Sequence, residues 1–163
     1  MPSTSIADIL HRTIVDLEQL RAQYEKLSRK LECAEPDDLR GRAIVQFLTL
    51  LIRRENHTIT ALRGYVDSAF DSGVAHAELD VHVRLGGGFP FRADELQVPE
   101  DPSLDDLIGV AERSDEQLAQ LTERIQIYTA AQGLRQALAA IEAIVRERRS
   151  RLASAVREVD EGM

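Results

Sequence analysis

The chain of 163 residues holds one cysteine, no tryptophan, three tyrosines and four phenylalanines. With Cys33 alone, no intrachain disulfide can form, and a reducing compartment is the simpler setting. Beside the Glu32 and Glu35 carboxylates a thiolate is disfavoured, so Cys33 reads as structural rather than nucleophilic. Long apolar runs are also missing: the densest, Phe47 to Ile52, falls far short of the roughly 20 residues a membrane span needs. Met1 to Ile6 is polar and carries no basic run, which argues against a signal peptide and for a cytoplasmic location. Cations are in the minority, with 20 Lys and Arg against 28 Asp and Glu and a formal charge of −8. That excess argues against nucleic acid as the main partner, since a phosphate backbone is bound by clustered Lys and Arg, although a local basic patch stays open.

What is abundant is the material of helices. Hydrophobic residues make up 44% and charged residues 29%, with Ala, Leu, Glu and Arg prominent, which is the composition of a globular helical domain. The length suits a single domain over 1–163 that can bury its own core without staples. Four stretches show apolar residues at alternating steps of four and three, the signature of one helix face turned to a core. The first, 5–32, carries Ile6, Leu10, Thr13, Leu17, Leu20, Tyr24, Leu27 and Leu31, with Ser3, Thr4 or Ser5 able to cap its start and Pro36 to end it. The second, 37–70, carries Ile44, Leu48, Leu51, Glu55, Thr58, Leu62, Tyr65 and Ala69, and so places a carboxylate in line with the core. The third, 103–131, begins at a Ser103 cap before Asp105 and Asp106 and runs through Leu104, Leu107, Ala111, Ser114, Leu118, Leu121, Ile125 and Tyr128. The fourth, 134–160, follows Gly133 with Leu134, Leu138, Ile141, Val145, Arg148, Leu152, Ala155 and Val159. The phase slips at Gly133, which predicts two helices, a bent continuous rod being the alternative.

Between the second and third stretches lie residues 71–102, which include Gly86 to Gly88, Pro90, Pro99 and Pro102. That is too long for a plain helical turn. Leu79, Val81, Val83 and Leu85 alternate with Asp80, His82 and Arg84, and Phe89 and Phe91 continue the pattern, which predicts a short strand, a hairpin or an extended strap. A connection of this length lets the chain travel back along the bundle, so that the second and third helices run parallel.

Two helical hairpins joined by a long crossover resembles the ferritin-like four-helix bundles, in helix number, helix length and connection lengths. The fold expected is therefore all-α, a ferritin-like bundle with a crossover between helices 2 and 3. The resemblance implies a dinuclear iron site built from one Glu on the first and third helices and Glu-x-x-His on the second and fourth. Arg54-Glu55-Asn56-His57-Thr58 and Arg146-Glu147-Arg148-Arg149-Ser150 echo one another at corresponding places, but the expected histidines are Thr58 and Ser150. His57 sits one residue early, about 100° round the helix. Glu18 and Glu116 lie beside their stripes. The expectation is a bundle with no cofactor, any metal site having to gather Glu18, Glu55, His57, Glu116 and Glu147.

A core-facing Glu55 needs a partner, because an unpaired buried charge costs several kcal/mol or takes up a proton. Arg148 on the fourth stripe is the candidate, supported by Thr58 and Tyr65; alternatively both charges reach solvent at the bundle edge. Elsewhere the signals are weaker. His11 reads as a boundary side chain, His76 and His82 with Glu78 and Asp80 as a polar strand face or a loose metal cluster, and the glycine triplet as a turn rather than a phosphate loop. No hydroxyl or thiol has a readable base partner, and the basic run Arg146, Arg148, Arg149 and Arg151, which alternates around the helix with Glu142 and Glu147, reads as mostly a solvated face. Three kinds of function remain. The first is a metal-free bundle working through protein contacts as a homodimer, with the crossover strand as one contact edge. The second is a small-molecule binder with a cavity lined by Thr13, Tyr24, Thr58, Tyr65 and Ser114. The third is a carboxylate-rich oxidase or metal store with unusual ligands.

Overall fold

The computed structural model describes residues 4–33, 39–70, 77–85, 89, 91–129 and 135–162, and it is mostly helical. A two-residue strand β1 (Thr4–Ser5) leads into helix α1 (Ile6–Cys33), followed by α2 (Leu39–Phe70). Strand β2 (His82–Val83) and a 3-10 turn (Ala93–Glu95) lie in the crossover, and helices α3 (Leu104–Thr129) and α4 (Arg135–Gly162) complete the chain. No helix among the described residues is long and apolar enough to cross a membrane.

Hydroxyl caps start the first and third helices where the sequence offers them. Ser5 Oγ accepts from the Asp8 amide, and Ser103 Oγ accepts from the Asp106 amide while Asp106 accepts from the Ser103 amide in return. That reciprocal pair satisfies two donors that the helix cannot pair internally, and it holds the Asp106 carboxyl below its ordinary range. The stripes then turn inward. Leu10, Leu17, Leu20 and Leu27 of α1 meet Ile44, Leu48, Leu51 and Leu62 of α2, and Leu107, Leu118, Leu121 and Ile125 of α3 meet Ile141, Leu152 and Val159 of α4 in one core. Each such side chain contributes roughly 1.5–3 kcal/mol by leaving water.

Cross-helix partners fix the directions. Glu18 meets Arg63 while Arg21 meets Asn56, so α1 and α2 are antiparallel. His57 meets Glu147, and Leu50 and Arg54 line a groove with Arg151 and Ala155, so α2 and α4 are antiparallel. Glu112 and Glu116 lie beside Leu152 and Val156 while Gln126 lies beside Glu142, so α3 and α4 are antiparallel as well. Helices α2 and α3 therefore run parallel, and the reversal between α3 and α4 excludes one continuous rod.

The crossover straps this assembly. Its period-two burial is as the sequence predicts, with Leu79 and Val83 buried and Asp80, His82 and Arg84 exposed. The strand itself is shorter than predicted, because residues 77–79 are helical and only His82–Val83 enter a ladder. That ladder is antiparallel to β1, with Thr4 opposite Val83 and Ser5 opposite His82, and the Ile6 amide donates to the Val81 carbonyl at 3.0 Å. Thr4 and Ser5, just before α1, thus pair their backbone groups with the crossover in the place of a second crossover strand. Beyond it Phe91 and Leu96 are fully buried, the Arg12 guanidinium stacks on the Phe89 ring, and the Val98 amide donates to Gln23 of α1. The glycine triplet and His76 lie outside the described residues.

Buried Glu78 ties the strap to α4 by accepting from the amides of Gln136 (3.2 Å) and Ala137 (2.8 Å). A carboxylate in this position satisfies orphan donors and opposes the positive end of the helix dipole. Glu78→Ala is expected to cost about 1–2 kcal/mol, seen as a lower melting temperature, with Glu78→Gln keeping part of the stability through its remaining carbonyl. A Glu78→Ala variant melting together with the parent would remove this tie from the account.

Candidate functional site

The centre of the bundle is charged. Helix α2 supplies Arg54, Glu55 and Thr58, α3 supplies Ser114 and Asp115, and α4 supplies Arg148, all of them buried. Glu55 and Arg148 are wholly inaccessible, at 0% exposure each, so the reading in which both charges reach solvent at the bundle edge is not what the structure places here. Two guanidinium groups face two carboxylates, and the cluster is formally neutral.

Arg148 Nη1 donates to Glu55 Oε2 at 2.5 Å and Nη2 donates to Oε1 at 2.9 Å, a two-pronged pairing. Its Nε donates to Asp115 Oδ1 at 2.8 Å, and the remaining N–H groups reach Thr58 Oγ1 at 3.3 Å and Ser114 Oγ at 2.8 Å. Every N–H of this guanidinium has an acceptor. Arg54 lies on the other side of Asp115, with Nη1 at 2.9 Å from both carboxylate oxygens, and its Nη2 reaches Ser114 at 3.3 Å and Glu55 at 3.4 Å. The hydroxyls close the network by donating to their own helices, Thr58 to the Arg54 carbonyl and Ser114 to the Ala111 carbonyl. Burial works against the Arg148 charge, but Glu55 and Asp115 outweigh it and hold the group protonated above its ordinary range.

Among the described residues, two polar atoms at this centre have no partner, Arg54 Nε and the Tyr24 hydroxyl contributed by α1. Burial first, and then the negative charge of Glu55, push the Tyr24 hydroxyl well above the usual phenol range. An unpaired buried hydroxyl is a liability of about 1–3 kcal/mol. Tyr24→Phe is therefore expected to leave stability at neutral pH unchanged or raise it by about 1 kcal/mol. It also changes the alkaline limb. With the folded value above the unfolded value of 10.0, the unfolded chain loses its proton first, so this contribution is full below pH 10 and falls away above it. Urea midpoints measured between pH 8 and pH 11 should decline less in Tyr24→Phe than in the parent. Tyr65, raised in the same sense by burial and Glu78, is present in both proteins and cancels.

No family model, curated protein or solved structure matches this chain.

What the cluster can do follows from its own atoms. All four oxygens of Glu55 and Asp115 already accept from guanidinium groups, so neither carboxylate is available to take a proton from a substrate or to bridge metal ions. The other metal candidates stand apart. Glu18 pairs with Arg63 on the α1–α2 edge, half-exposed Glu147 pairs with His57 at 3.1 Å and with Arg151, and Glu116 is exposed on α3. Among the described residues no group of three or more His, Cys, Asp or Glu side chains is arranged to hold a metal ion. A dinuclear iron centre does not fit these residues, because the guanidinium groups of Arg148 and Arg54 already contact both carboxylates and would repel added metal.

Of the five hydroxyls offered as a ligand lining, three are engaged by their own helices: Thr13 donates to the Ile9 carbonyl, as Thr58 and Ser114 do to theirs, whereas those of Tyr24 and Tyr65 are buried without a partner among the described residues. Tyr65 does not join the cluster. Its hydroxyl has no hydrogen-bond partner among the described residues and senses Glu78 near the crossover, a correction that follows from its place ten residues beyond Glu55 along α2. Sequence periodicity missed Arg54 and Asp115, each one position off its stripe. Their signal was adjacency, since each directly neighbours a polar residue within the stripe. His11 and Cys33 are exposed, so Cys33 is not packed into the core.

Proposed function

We propose that this chain is a ferritin-like bundle in which a guanidinium–carboxylate cluster stands where a metal-binding relative would hold iron. It acts through protein–protein contacts as a cytoplasmic homodimer, without a cofactor. The observation that carries this reading is the closed cluster of Arg54, Glu55, Asp115 and Arg148, in which every carboxylate oxygen accepts from a fixed guanidinium group. A centre of this kind does for packing what iron does elsewhere: it neutralises inward carboxylates and ties three helices together, but it leaves no open coordination position. The parallel course of α2 and α3 and the strap over 77–98 support the ferritin-like part of the reading, and the exposed free Cys33 suits a reducing compartment.

The test is a mass measurement by light scattering over a range of concentrations, together with elemental analysis after anaerobic loading with ferrous iron or zinc. Twice the chain mass of 18.2 kDa, with no stoichiometric metal, is expected. About two metal ions per chain, lost on Glu55→Ala, would replace this reading with a dinuclear oxidase or store. A monomer at every concentration would remove the homodimer.

A further inference from the structure

The outer seam between α3 and α4 is open. A groove of about 730 Å³ runs between them, floored by Leu152, Ala153 and Val156 and edged by Glu112, Glu116, Arg149 and Arg157. A second groove of about 290 Å³ carries it toward the other end, past Ala119 and Val145, with Glu123 and Arg146 on its rims. Glu112, Glu116, Ala119 and Glu123 follow one another at steps of four, three and four, and so share one face of α3. Arg146, Arg149 and Ala153 do the same on α4. One helix thus presents an acidic row and its neighbour a mainly basic one, which Glu142 interrupts one turn before Arg146, over a mostly apolar floor that Asp115 also lines. The three acidic and three basic rim residues are exposed, and among the described residues no ion pair joins any of them across the seam. Ile127, 74% exposed, lies four residues beyond Glu123 on the same side of α3.

We infer that this seam is the face on which a second copy of the chain docks, with the two-fold axis running parallel to the helices. The inference rests on the homodimer proposed above and assigns its surface and symmetry. A two-fold interface brings one patch against itself, and two dyads could bring these hairpins face to face. A dyad lying across the helices sets α3 on the partner's α3, acidic row against acidic row. A dyad along the helices sets each α3 on the partner's α4 at the same height and antiparallel to it. Each acidic row then meets a basic one, with Glu116 opposite Arg149 twice in the dimer. Charge complementarity selects the second arrangement, since like charges brought together across an interface oppose association. The apolar floors meet between the rows, and the exposed Ile127 at the end of the acidic row is covered by the partner, where burial drives association.

The experiment is sedimentation equilibrium on the full chain and on Glu116→Arg, Arg149→Glu and the variant carrying both. Each single reversal places two like-charged contacts in the dimer and is expected to weaken it about tenfold or more, while the double reversal restores the parent dissociation constant to within a few-fold. Circular dichroism melts of the singles should match the parent monomer, because both positions are exposed. A parent dimer unaffected by either single variant overturns this face and leaves the homodimer standing, and weakening by both singles without restoration in the double overturns the α3-to-α4 pairing. A parent that is monomeric throughout removes the homodimer and this face with it.

Discussion

Replacing Arg148 with methionine is expected to lower the free energy of unfolding by about 3–5 kcal/mol, the usual cost of removing one partner from a buried ion pair. For a chain of this size each kcal/mol moves the melting temperature by about 2–4 °C. The loss is large because it is uneven. Methionine fills much of the volume, but Glu55 loses both of its short contacts and Asp115 loses its 2.8 Å contact to Nε, leaving two carboxylates to share Arg54. Lysine should not rescue, since one ammonium cannot reproduce a planar fork that bonds two carboxylates and two hydroxyls at once. The informative partner is Arg148→Met with Glu55→Leu, which removes one charge of each sign and leaves Arg54 with Asp115. Its cost should fall below the sum of the two single changes by about 2–3 kcal/mol, the upper range for residues in direct contact. Urea denaturation of the four proteins measures all of this, and additive single costs would mean that the two side chains do not depend on one another.

That cluster shows what a periodic reading of sequence captures and what escapes it. The stripes report the direction of the Cα–Cβ bond, and for Glu55, Thr58, Ser114 and Arg148 that direction is inward, so these four were legible as core polar residues. Arg54 and Asp115 begin one position away from the stripe, and their side chains turn in to reach partners. Arg54 does so with a stem long enough to bury itself alongside a core it does not face. Sequence spacing carries no record of such reach. Tyr65 fails in the opposite way: its position lies on the stripe, but ten residues of helix separate it from Glu55, and phase alone says nothing about height. Glu147 and His57, which only an unusual metal site would have had to gather, pair with each other at the surface, where the stripe leaves them.

The helices themselves were legible for the same reason that the strap was not. Four and three spacing, hydroxyl caps at Ser5 and Ser103, and the phase slip near Gly133 are local signals, and each helix ends within a few residues of where they place it. The pairing of His82–Val83 with Thr4–Ser5 joins residues far apart in sequence, and no local pattern names the partner of a two-residue strand. The capping of α4 by Glu78 is of the same kind, a long-range tie made by a residue whose own neighbourhood reads as ordinary loop.

The strap is nevertheless part of the core, and Phe91→Ala should show it with a loss of about 3–5 kcal/mol, the range for emptying a large aromatic site. A loop lying loosely over a finished bundle would give far less, because solvent or a small shift of the backbone would fill the space. Phe91 is wholly buried, and the chain that follows it is held at two points. Arg92 donates from its amide to Gln117 of α3, and the Val98 amide donates to Gln23 of α1. Held by both helices, the strap cannot easily settle into the hole. Phe91→Leu, which keeps most of the apolar volume, should recover more than half of the loss. Hydrogen exchange separates the two pictures further: in Phe91→Ala the amides of α1 and α3 facing the strap should lose protection together, whereas loosening confined to residues 77–98 would make the crossover an accessory to a bundle that is complete without it.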